Sequence, residues 1–182
     1  MIIWSTTTTI RSYNGSISLT GYANGRQTID NFCASCAGAG VYVYSDNNLI
    51  RAKNNITITG INLPGIAVYL ANHSSGSNGW IADTGDIVVN GINNYSGWYP
   101  TIIRQSMTAT AGSITITGAG INSVALDTTD SALLAAGNIN LIGYATTGYG
   151  IQITAGVTNA IRSTGGNIII SDYAGASSAT YY

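Results

Sequence analysis

Two cysteines, Cys33 and Cys36, form a Cys-Ala-Ser-Cys motif, which can serve as a redox couple, as half of a zinc site or as a disulfide that staples a loop. Zinc takes four ligands, and the one other strong ligand in the chain is His73, in the polar stretch Asn72-His73-Ser74-Ser75. A thioredoxin-like couple needs a βαβ setting that the flanking sequence lacks. A loop-stapling disulfide is the first reading of Cys33 and Cys36, two free thiols the second, and no cofactor or metal is expected. His73 reads as a solvated loop residue.

Carboxylates give no clearer centre. Cleavage of a glycosidic bond needs an acid and a second charged group across the bond. The near pairs are Asp83 with Asp86, which bracket a turn, and Asp127 with Asp130, in a loop farther along the chain. Turn-capping accounts for both pairs, so no catalytic residue is named and an enzyme is not expected. Aromatics are the more distinctive polar-surface feature. Tyr44 and Tyr69 are expected in one outward register of adjacent strands, and Trp80, Tyr95, Trp98 and Tyr99 flank glycine-rich loops, a composition that offers flat platforms to sugar rings. Side-chain laddering and loop packing are the plain alternative. Arg11, Arg51 and Arg162 hold equivalent outward places but are expected to lie too far apart in coil number to form one patch. Thr57 with Thr59 and Thr115 with Thr117 resemble the threonine ladders of ice-binding solenoids, but Val88, Asn90, Asn140 and Ile142 interrupt the array.

What must position these residues is a repeat. Gly or Asn, a small polar residue, then Ile-x-(Ile/Leu/Val)-x, usually closed by Gly, occurs six times, led by Ile17, Ile56, Ile87, Ile114, Ile139 and Ile168. The first copy reads Gly15-Ser16-Ile17-Ser18-Leu19-Thr20-Gly21; in the last, Asp172 replaces the closing glycine. Side chains alternate across a strand, so each copy buries two aliphatic residues and turns its polar ones outward. The closing glycine is expected to end the strand at a corner by accepting a positive φ. A second strand follows in most copies, as in Gly40-Val41-Tyr42-Val43 and Gly65-Ile66-Ala67-Val68, and a third precedes the next copy, as in Ile50-Arg51-Ala52 and Ile161-Arg162-Ser163. Uneven spacing between copies excludes paired-helix repeats and suits loops of varying length. The expectation is an all-β, right-handed parallel β-helix of about six coils with three short strands per coil, one solenoid domain over 1–182 with its longest loop insertion at 22–40.

Composition agrees. Of the 182 residues 45% are hydrophobic, ample for a continuous core, while only 7% are charged, against roughly 25% in an average soluble domain. A net charge of −1 leaves no basic surface for nucleic acid. No basic amphipathic stretch or long apolar run suggests direct membrane insertion. Met1-Ile2-Ile3-Trp4-Ser5-Thr6 lacks the pattern of a signal peptide, so the chain reads as a piece of a longer exported protein or as one exported by another signal. Neither terminus carries a helical or charged, proline-rich cap, which points to a fragment or to a unit that stacks end to end.

The Gly-(Ser/Asn/Asp)-Ile-x-Ile-x-Gly copies, the following Gly150-Ile151-Gln152-Ile153 and the return Leu133-Leu134-Ala135-Ala136-Gly137-Asn138 resemble filamentous-haemagglutinin-like bacterial adhesins, over essentially the whole chain and best from Gly85 to Ser171. The resemblance implies a right-handed β-helix, secretion across the outer membrane, and attachment, aggregation or biofilm formation at the bacterial cell surface. The Asn-Pro-Asn-Gly signature of that family's secretion module is absent, so the chain corresponds to repeat region. The expected role is an extracellular adhesive or structural fibre segment whose partners are its own copies, adjoining repeats, or surface glycans and matrix. A carbohydrate-binding module is the alternative, and an ice-binding solenoid the remote one.

Overall fold

Ile-x-Ile-x alternation favours an extended backbone, because β-branched side chains crowd a helical turn but pack well on a pleated surface. The computed structural model describes residues 1–24, 38–63, 65–71, 79–93, 100–122, 124–128, 132–155 and 161–174. The strands among them are all joined by parallel pairing into an all-β solenoid. The chain enters on β1 (Ile2–Ser12), then runs through β2 (Ile17–Ala23) to β3 (Val41–Ala52). Successive turns add β4 (Ile56–Asn62) and β5 (Val68–Ala71), then β6 (Trp80–Ala82), β7 (Ile87–Ile92) and β8 (Thr101–Arg104). Next come β9 (Met107–Ala109), β10 (Ile114–Gly120) and β11 (Val124–Thr128), followed by β12 (Leu133–Ala135), β13 (Ile139–Ala145) and β14 (Ile151–Ala155). The last described turn holds β15 (Ile161–Ser163) and β16 (Ile168–Ala174).

Three faces result. The repeat face is a six-stranded sheet ordered β16-β13-β10-β7-β4-β2. The other two faces merge into one ten-stranded sheet because β3 turns their shared corner without leaving the strand conformation: Val41–Tyr44 pair with β5, while Ile50–Ala52 pair with β6. One of these, the following face, carries β5, β8, β11 and β14; the other, the return face, carries β6, β9, β12 and β15. Among the described residues about four turns, from Ile50 to Ala155, carry strands on all three faces, fewer than the six coils read from the repeat. Residues 25–37 lie outside the described set, and the last described turn is represented by β15 and β16 alone. Of the expected 22–40 insertion, Tyr22 and Ala23 belong to β2.

Ile17, Ile56, Ile87, Ile114, Ile139 and Ile168 stack in register along the repeat face, with Leu19, Ile58, Val89, Ile116, Leu141 and Ile170 as the second inward column. From Ile56 to Leu141 these side chains are fully buried, each contributing roughly 1.5–3 kcal/mol. A third inward column, Ile10, Ile50, Trp80, Met107, Leu133 and Ile161, fills the core from the return face.

The repeat glycines act differently from the corner role expected of them. Gly21, Gly60, Gly91, Gly118 and Gly143 lie in register inside strands, and the described glycines with positive φ are Gly38 (30°) and Gly148 (92°). A Cβ on Gly60 would fall 2.0 Å from the Ala67 carbonyl oxygen, and one on Gly21 or Gly143 only 1.7 or 2.2 Å from that of Gly40 or Gly150. Glycine is required because the start of the following face crosses directly against it.

Candidate functional site

The small polar residue before each leading isoleucine forms a ladder along one corner. Asn55 N–H donates to Ser16 Oγ at 3.2 Å, Asp86 N–H to Asn55 Oδ1 at 2.9 Å, and Ser113 N–H to Asp86 Oδ1 at 2.7 Å. Asn138 N–H then donates to Ser113 Oγ at 3.0 Å, and Asn167 N–H to Asn138 Oδ1 at 2.8 Å. Each side chain accepts the N–H of its counterpart in the next turn, so the ladder is polar. It begins with the N–H of Ser16 and ends with the side-chain oxygen of Asn167.

Above Asn167 the core opens. Ile168 and Ile170, inward residues of β16, are 47% and 38% exposed, while their counterparts Ile139 and Leu141 are fully buried. Ile169 and Tyr173 are exposed beside them. Tyr173 also ends an outward column of the repeat face, Tyr22, Ile61, Ile92, Ala119, Tyr144 and Tyr173, in which the last two rings stack at 4.9 Å and 10°. Sequence reading passed over this stripe, although its signal was present: the position follows the repeat glycine, or Asp172 in the last copy, and is aliphatic or aromatic in every copy.

Several residues singled out by sequence fall elsewhere. Trp80 is fully buried in the return-face core, and its indole N–H donates to Gln105 Oε1, so it offers nothing to a sugar. Tyr44 and Tyr69 do not share a register. Tyr69 pairs with Tyr42, the two rings stacking at 5.2 Å, and Tyr44 is opposite Ala71. Tyr42 is buried, which leaves this cluster without an open ring pair. Arg11 and Arg51, expected to be remote, are direct register partners in adjacent turns; Arg162 is at the far end of the same outward column. Cys33, Cys36, His73, Tyr95, Trp98, Tyr99 and Asp130 lie outside the described residues.

Comparison of the chain with protein-family models, with curated proteins and with solved structures finds no match.

The described carboxylates of the first near pair both hold structural positions. Asp83 Oδ1 is 2.9 Å from Arg51 Nη2, and Asp86 is a rung of the corner ladder. Among the described residues no group of three His, Cys, Asp or Glu is placed to hold a metal ion, and no helix is long and apolar enough to cross a membrane. What the arrangement offers chemically is an extended hydrogen-bonding and apolar surface at β16, with the reciprocal donor at β2.

Proposed function

We propose that this chain is a non-enzymatic, extracellular adhesive or structural fibre segment whose copies join head to tail along the solenoid axis. The observation that carries the reading is the open β16 rung, where exposed Ile168 and Ile170 lie beside a ladder ending in an acceptor. At the other end, the rung of β2 supplies the matching donor, the N–H of Ser16, and Tyr22 in the register of Tyr173. A tail-to-tail contact would oppose two acceptors and break the parallel ladder; a head-to-tail contact continues both, as a heterologous and therefore fibre-forming interface. Likeness of the repeats to filamentous-haemagglutinin-like adhesins favours the bacterial cell surface as the place of action.

Sedimentation velocity across a wide concentration range, with electron microscopy of the same samples, tests this. Wild type is expected to form filaments. Ile168→Asp with Ile170→Asp, at positions already half exposed, is expected to remain folded by circular dichroism and to stay monomeric. A wild-type chain that is monomeric at every concentration would remove the fibre reading.

A further inference from the structure

One corner of the first two turns gathers charge: three basic residues and a carboxylate meet there. Arg11 and Arg51 project outward from paired positions of β1 and β3, and Lys53 stands on the turn beyond, its N–H donating to the Ser12 carbonyl at 2.9 Å. These are half of the six lysines and arginines in the chain. Asp83 is the one carboxylate that meets them among the described groups: Arg51 Nε donates to its Oδ1 at 3.0 Å. Arg11 has no such partner among the described residues. Between them lies a cavity of about 190 Å³ lined by Arg11, Ser12, Tyr13, Arg51 and Asp83, with Tyr13 76% exposed at its side.

We propose that this corner binds a carboxylated sugar unit of an acidic polysaccharide, its carboxylate held by Arg11 and Arg51 and its ring lying against Tyr13. Paired strand positions sit about 4.8 Å apart, so the two guanidinium groups repel unless an anion lies between them. Asp83 fixes Arg51 through Nε and one terminal nitrogen, leaving further N–H groups to donate. The planar fork of arginine matches a carboxylate with two parallel hydrogen bonds, and a tyrosine face accepts the apolar side of a sugar. The cavity is below the roughly 300–1,000 Å³ of drug-sized ligand sites, which suits one ring-sized unit of a chain passing over the surface. Among the described residues, three cations against one carboxylate make too small a basic patch for a densely sulfated polymer. The site does not depend on the fibre reading.

The test uses the monomeric Ile168→Asp/Ile170→Asp chain, so that loss of assembly cannot imitate loss of binding. Oligogalacturonate, dextran sulfate and neutral dextran are titrated calorimetrically at low and moderate salt. Oligogalacturonate is expected to bind and neutral dextran not to. Arg11→Gln and Tyr13→Ala should each weaken oligogalacturonate about tenfold, while Arg162→Gln, at the other end of the same column, should leave it unchanged. Absence of oligogalacturonate binding at low salt overturns the proposal. So does equal binding by Arg11→Gln, or tighter binding of dextran sulfate with an equal loss in Arg162→Gln, which would signify plain charge attraction.

Discussion

At Gly60 a backbone oxygen leaves no room for a Cβ, and that single distance fixes how two faces meet. The Ala67 carbonyl is part of the chain's own crossing, so an added methyl cannot push aside a flexible side chain; the backbone must move. Gly60→Ala is expected to lower unfolding free energy by about 1–3 kcal/mol, as overpacking does in close-packed interiors. Gly15→Ala, whose Cβ would meet only the Ser12 hydroxyl at 3.3 Å, should cost much less. Urea unfolding of the two variants decides the matter, and equal stabilities would refute the crowding account. The sequence marked Gly60 as special but not why, because a glycine chosen for close approach and one chosen for positive φ look alike. Trp80 was legible and was misread. In Trp80-Ile81-Ala82 every residue is apolar, so alternation alone is silent; aligned with Ile50-Arg51-Ala52, whose arginine marks the outward position, Trp80 falls inward. The cysteine motif, by contrast, has no counterpart in other turns against which to align it.

Among elements, the corner ladder explains the Ser, Asn or Asp that precedes every leading isoleucine. From Ser16 to Asn138, each one satisfies an N–H of the next turn that would otherwise face solvent at a strand start. Asp86→Ala should therefore cost about 1 kcal/mol, by depriving the Ser113 N–H of its acceptor, while Asp86→Asn should recover most of it because Asn fills the same rung at Asn55 and Asn138. Chemical denaturation of the three proteins is the measurement; an alanine variant as stable as wild type would make the ladder incidental. The repeat strands, their inward columns and their parallel stacking were all legible, since six copies of one pattern can be aligned on each other. Register on the following face was not. Placing Val41 opposite Ile66 instead of Val68 is a slip of two residues, and a two-residue slip keeps every side chain on its own side of the sheet. Hydrophobic alternation cannot detect such an error. What fixes the pairing is the contact of Gly21 and Gly60 with the carbonyls of Gly40 and Ala67, a spatial fact without a sequence signature. The same slip displaced Tyr44 onto Tyr69. Of strand β1, Ile10-Arg11-Ser12 was legible as a copy of Ile50-Arg51-Ala52, but its first half was not: Ile2-Ile3 is too short a run to stand out before its partner Tyr42-Val43 is known.

For the whole molecule, a solenoid in which each turn touches only its neighbours should tolerate loss of a complete turn and no other length. Deleting Ile87–Ser113 removes β7, β8 and β9 and joins Asp86 to Ile114, restoring the junction that precedes a leading isoleucine. It brings Ile56-Thr57-Ile58-Thr59-Gly60 beside Ile114-Thr115-Ile116-Thr117-Gly118, two segments identical in sequence that already share a register with β7. Trp80 loses Gln105, and its buried indole N–H then costs about 1–3 kcal/mol. The shortened chain should nevertheless unfold in one transition, with a urea dependence reduced in proportion to the surface removed. Deleting Ile87–Pro100 instead puts β8 where a repeat strand belongs, replaces Ile-x-Ile by Thr101-Ile102-Ile103, and should abolish the cooperative transition. The six rungs of the repeat face, at about 4.8 Å each, span about 29 Å. Filaments of the turn-deleted chain should therefore show an axial repeat shorter than wild type by about 4.8 Å. An unchanged repeat in electron-microscopic diffraction would mean that copies associate side by side, through a surface such as the Tyr22 to Tyr173 stripe, and that the open β16 rung is not where they meet.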